Sequence, residues 1–180
     1  MSKLEKFLIV LIIIFAGVLL YNILKPAPKL KDVNFHLDYP TNIVTNVSSV
    51  SYADTLTHAG LKVLDIDSVR IVIHDLPDER SMSLMEDTKG FVISSTPRFL
   101  NIYMDGSMGR SQYIKILSHE LIHVKQVYSG RLITDDAPVF IFDNKKYNKD
   151  FIPYSVHPWE QEAYRLQNQV SSELRQVAYQ

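Results

Sequence analysis

The stretch Ser118-His119-Glu120-Leu121-Ile122-His123-Val124 decides how this chain is read. It contains the pattern H-E-x-x-H. On a helix, residues four apart share one face, about one turn apart, so both imidazoles can reach one ion. Glu120 lies between them and can take a proton from a metal-bound water in the same space. The flanking sequence predicts that helix. From Gln112 to Gly130 the apolar residues Ile114, Leu117, Leu121, Val124 and Tyr128 recur at steps of three and four, a stripe that faces a core. Ser107 or Ser111 is placed to cap its start, and Gly130 to end it. His119 and His123 fall roughly opposite the centre of the stripe. Ile116 and Val127 flank them, so the histidine face is expected to be covered as well. The charges Lys115 and Lys125 fall on a different arc.

A catalytic zinc site takes three protein ligands and keeps one position open for water. The metzincin continuation is absent: it needs Gly at 126 and His at 129, where this chain has Gln126 and Ser129. The stronger source of a third ligand is His157-Pro158-Trp159-Glu160-Gln161-Glu162-Ala163-Tyr164. Pro158 suits the first turn of a helix that would run to about Val177. Glu160 then lies in the first or second turn. Two His and one Glu form a known catalytic zinc set, and these ligand types favour zinc over other divalent ions. Glu162 is the rival ligand; it points about 200° away around the helix, so only one of the two can face the metal. His157 is a candidate oxyanion donor or helix cap. Tyr154 and Tyr164 are further candidates for oxyanion donors or supports of a ligand. His36, His58 and His74 are isolated and are expected to be structural. Asp135 and Asp136 are expected in a loop.

The two helical motifs together resemble the gluzincin-type zincin metallopeptidases. In that group the H-E-x-x-H helix is followed by a second helix with a Glu ligand, written E-x-x-A-D or E-x-E-A. Here Glu160 matches the ligand and Ala163 the small residue. The segment Pro158 to Ala163 is also similar to small bacterial and phage zincin-like proteins with a P-[FW]-E-x-E-A ending. The resemblance covers roughly residues 65 to 178. It implies zinc held by His119, His123 and, by its register, Glu160. It further implies hydrolysis of peptide bonds by a zinc-activated water, with Glu120 as general base. The strand before the active helix, here Phe99 to Met104, would be a cleft wall that an extended peptide joins by strand addition. One departure stands out: Tyr164 occupies the position where many relatives have an Asp that supports a ligating His. That departure motivates an alternative, a non-catalytic, membrane-tethered zinc-binding or envelope interaction protein on a zincin scaffold.

The other strong feature is at the start. Phe7 to Leu24 is apolar except for Asn22, and 18 residues nearly cross a hydrocarbon core of about 30 Å. Lys3 and Lys6 precede it; Lys25, Lys29 and Lys31 follow. No small-x-small cleavage pattern follows the run, which favours an uncleaved anchor over a signal peptide. Lysines at both ends leave the positive-inside rule undecided. The short basic start resembles a signal anchor, which would place the catalytic domain on the non-cytoplasmic side of a single-pass membrane protein. The expected organisation is 1–25 anchor, 26–45 linker with Pro26-Ala27-Pro28, and 46–180 zincin-like domain. The absence of Cys in the 180 residues excludes thiolate chemistry and a disulfide framework. A net charge of −1, without a basic patch, does not suggest nucleic acid; the expected partners are a peptide or protein substrate and the membrane.

The coarse order is mixed. A helix is predicted from Val47 to Ala59, ended by Gly60. Strands are predicted at Ser68–His74, Gly90–Ser94 and Phe99–Met104, with a polar loop over Asp75–Lys89. A hairpin or flap is predicted over Val139–Tyr147. The expected class is α+β, zincin-like, with the active-site helix packed on a small, mainly antiparallel sheet and a transmembrane helix at the N-terminus.

Overall fold

The computed structural model describes residues 42–76, 89–136 and 138–179. The expected membrane helix, most of the linker, His36 and positions 77–88 of the expected polar loop lie outside the described residues. Among the described residues no helix is long and apolar enough to cross a membrane.

Strands and helices are mixed along the chain. Strand β1 (Ile43–Asn46) is followed by helix α1 (Ala53–Val63) and strand β2 (Arg70–Asp75). Strands β3 (Gly90–Thr96) and β4 (Phe99–Met104) then lead into helix α2 (Arg110–Tyr128). Strands β5 (Leu132–Asp136), β6 (Val139–Phe142) and β7 (Lys145–Asn148) come next, and after two short 3-10 turns the chain ends in helix α3 (Pro158–Ala178). The class is mixed α+β, as expected.

Two sheets form. The larger has the order β1-β2-β4-β3, the smaller β5-β6-β7. The larger sheet corrects the expectation of a mainly antiparallel one. β1 pairs with β2 and β2 with β4 in parallel; only the β3–β4 hairpin is antiparallel. The reason is connectivity: a parallel pair needs a crossover, and α1 supplies it between β1 and β2. Ile43 to Thr45, which the sequence assigns to the linker, are thereby drawn into the sheet. Asp135 and Asp136 belong to strand β5 rather than to a loop. The smaller sheet is antiparallel throughout. Its β6–β7 turn uses Asp143 and Asn144, both at positive φ (49° and 63°), which suits a two-residue hairpin turn.

The core follows the periods of the elements. Ile71 and Ile73 of β2 and Leu100, Ile102 and Met104 of β4 alternate inward and are fully buried. They join Tyr113, Ile114, Leu117, Leu121 and Val124 of α2 in one cluster. Helix α3 packs along α2 and α1. Gly60 does not end α1 as expected; it lies inside it, against α2. A Cβ there would come within 2.3 Å of Leu121 Cδ1, so the glycine permits the close helix approach. The outer face of the large sheet carries a stacked row in which His74, Tyr103 and Phe91 have ring centroids 4.7 Å apart at each step. His74 is therefore a packed sheet residue, as expected, and His58 is exposed on α1.

Helix α2 closes as the sequence predicts and opens differently. Gly130 has φ 70°; its N–H donates to the Val127 carbonyl and that of Arg131 to the Gln126 carbonyl, both at 2.9 Å. This pair of bonds is a Schellman stop. At the start, Gly109 is the capping residue, and no side chain caps it. Ser107 instead turns back to Asp105.

Candidate metal centre

Helix α2 supplies His119, Glu120 and His123 from consecutive turns, and the first turn of α3 supplies Glu160. Pro158 at the first helical positions of α3 sets that turn. Trp159 then anchors it: its ring packs against Phe140, Phe142, Tyr147 and His157, at centroid distances of 5.4, 6.2, 5.9 and 4.5 Å. With Trp159 pinned to the smaller sheet, the next residue is aimed at α2.

Three ligand atoms converge. His119 Nε2 lies 3.1 Å from Glu160 Oε2, His123 Nε2 lies 3.2 Å from His119 Nε2, and His123 Nε2 lies 3.5 Å from Glu160 Oε2. Ligand bonds of about 2.0–2.1 Å in a tetrahedron put the ligand atoms roughly 3.3 Å apart. The observed triangle has that size. Its chemistry also calls for a cation. Glu160 is acceptor-only when ionised, and a neutral imidazole has one donor nitrogen. His119, His123 and Glu160 thus form a buried group that can hold a metal ion.

The titration behaviour of the cluster without an ion expresses the same demand. Burial acts against a charged His123, yet the Glu160 and Glu120 carboxylates and Gln126 outweigh it and raise its pKa. Burial likewise acts against ionised Glu160, but His119, His123 and Tyr154 hold its carboxyl well below the usual range. Burial pushes the Glu120 carboxyl up to about 7, against the pull of the His123 and His119 rings and with Glu160 adding to the rise. Glu120 is only 4% exposed. Gly90 of β3 makes room for it, since a Cβ there would lie 3.3 Å from Glu120 Cγ and closer still to Ile116.

Glu162 does not face the metal position. It accepts from Gln126 Nε2 at 2.9 Å and from Arg131 at 2.9 and 3.0 Å. The rival ligand of the sequence is therefore an ion-pair partner on the neighbouring arc. Tyr164 packs its ring on His119 at 4.6 Å. His119 Nδ1 is buried and has no hydrogen-bond partner among the described residues. Tyr154 stands close enough to Glu160 that burial and that carboxylate raise its own pKa well above normal. His157 does not cap α3 with its side chain. Its Nε2–H donates to the Ile152 carbonyl at 3.2 Å.

A cavity of about 670 Å³ opens beside Glu120, His123 and Glu160, walled by residues of β3, the smaller sheet and the start of α3. The expected cleft wall, Phe99–Met104, is not its edge. Among the described residues strand β4 is paired on both sides and β3 is an edge strand, with Gly90 to Ser94 lining the cavity. Sequence reasoning missed Gln126 and Arg131, which take part in the hydrogen bonds around His123. The only signal was the i, i+3 spacing of His123 and Gln126 on one helix. Comparison with protein-family models, with curated proteins and with solved structures finds no match.

Proposed function

We propose that this chain is a zinc-dependent peptidase of zincin-like build, tethered to a membrane by its N-terminal apolar run. The observation that carries the catalytic part is Glu120: a buried carboxyl, raised to about 7, beside the three converging ligand atoms. A site that only held a metal would have no use for it. His119, His123 and Glu160 would hold the ion. When bound, zinc polarises a carbonyl oxygen and brings the pKa of a water toward neutrality. Glu120 has the position of a general base: it would take the proton of the attacking water and deliver it to the leaving amine. The edge of β3 that is unpaired among the described residues offers backbone groups to an extended peptide. The cavity next to it is walled by Val92, Val127, Leu132, Phe140 and Trp159, with Lys149 also in its lining, and suits a bulky apolar side chain beside the scissile bond.

The test is Glu120→Gln in the full-length chain, assayed on a peptide library. Metal content should stay at one per chain, while hydrolysis falls about 10²–10⁴-fold, the usual contribution of a general base. Equal cleavage by the variant would sink the mechanism. A second reading, zinc binding without catalysis, draws on His119 Nδ1, which has no partner among the described residues, and on Tyr164 beside it. Cleavage that chelation abolishes and zinc restores would remove it. The tether rests on Phe7 to Leu24 alone and predicts that the full chain sediments with membranes and resists extraction by alkali.

A further inference from the structure

Gln126 is 1% exposed and lies one turn beyond His123. Its amide is fully used. Nε2 donates to the Trp159 carbonyl at 3.0 Å and to Glu162 Oε2 at 2.9 Å. Both partners are acceptors only, so the amide nitrogen has to face them and the amide oxygen has to face His123. The contact of His123 Nδ1 with Gln126 Oε1, 2.8 Å, can then be only an Nδ1–H donating to the oxygen. The neutral ring keeps its lone pair on Nε2, the atom turned toward His119 and Glu160. The chain of contacts continues outward. Glu162 is held by Arg131 Nη1, and the same guanidinium grips Asp143, in the β6–β7 turn, through Nε at 2.7 Å and Nη2 at 2.8 Å.

We propose that Gln126 is a positioning residue that locks His123 in its Nδ1–H tautomer, and that Glu162 and Arg131 hold Gln126 in the orientation that does so. The smaller sheet is thereby part of the metal centre's support. Such partners typically change metal affinity by about 10–100-fold when removed.

The inference builds on the metal-site reading, and its test separates the two. In the first arm, full-length protein labelled with ¹⁵N-histidine is freed of metal, and the ring nitrogens are observed above the pH at which the ring titrates. His123 should appear as the Nδ1–H tautomer. In the second arm, zinc affinity is measured by chelator competition. Gln126→Met should weaken binding about 10–100-fold, Glu162→Met should weaken it less, and Glu162→Gln, which keeps an acceptor oxygen, should stay within about threefold of wild type. An Nε2–H tautomer in the wild-type protein overturns the proposal, as does unchanged affinity in Gln126→Met. If Gln126→Met does not fold, Glu162→Met and the wild-type tautomer decide. A wild-type chain that binds no zinc would defeat the metal reading, while the tautomer would still decide the role of Gln126.

Discussion

The two histidines of the centre come from one helix, one turn apart, and live in different surroundings. On the His123 side every polar atom of the support is matched: Nδ1–H to Gln126, Gln126 to Trp159 and Glu162, Glu162 to Arg131, Arg131 to Asp143. On the His119 side the outer nitrogen has no partner among the described residues, and a tyrosine ring covers the imidazole. The contrast teaches that the H-E-x-x-H pattern delivers two rings to one point without settling how each is held. A ring hydrogen-bonded at its outer nitrogen has one tautomer and one orientation; a ring whose outer nitrogen meets only packing is fixed less closely. The His123 side is tied to the smaller sheet, whereas His119 depends on the contact between α2 and α3.

The comparison can be broken or sharpened. The largest effect is expected between the two halves, at Tyr154, whose hydroxyl lies near Glu160 and the cavity. If that hydroxyl donates to the developing oxyanion, Tyr154→Phe lowers kcat about 10²–10³-fold while metal content and KM hold, as steady-state kinetics would read. An unchanged kcat would return Tyr154 to a packing role. Next is the asymmetry itself. In the metal-free protein, His123→Ala strands the Gln126 oxygen, while His119→Ala takes a hydrogen-bond partner from the buried Glu160 carboxylate. Denaturant unfolding should show both variants destabilised, each by about 1–3 kcal/mol, the cost of a buried acceptor left short of a partner. Wild-type stability in His123→Ala would mean that the network on the His123 side adds none. The smallest effect is expected at Tyr164, which is 55% exposed and so tolerant of a polar substitute. Tyr164→Asp gives His119 Nδ1 an acceptor and should tighten zinc about tenfold in chelator competition. A weaker site would show that the ring contact, rather than its missing carboxylate, is what His119 requires.

Much of the centre was legible along the chain because its determinants are local. The i, i+4 spacing, the apolar stripe from Ile114 to Tyr128, Pro158 in the first turn and the Gly130 stop all act within a few residues, and the helices formed where they point. The hairpin turn at Asp143-Asn144 was legible for the same reason. Gly60 misled because a glycine that stops a helix and one that admits a neighbouring helix look alike in sequence; only Leu121, far along the chain, distinguishes them.

The sequence by itself determined that two imidazoles and a carboxylate would share one helix face, and that a second helix carrying Glu160 and Glu162 would follow. The resemblance pointed to Glu160 and the packed helices bring it to the histidines; tertiary structure alone decided that Gln126 and Arg131 belong to the support, that the large sheet is mostly parallel, and that β3 rather than β4 is an edge among the described residues. The physical reason is range. Helical periods and turn preferences are set by neighbouring residues. Ligand choice, sheet order and hydrogen-bond relays depend on contacts between segments distant in the chain, such as His119 with Glu160 and Gln126 with Trp159, and those contacts exist only once the helices and sheets have packed.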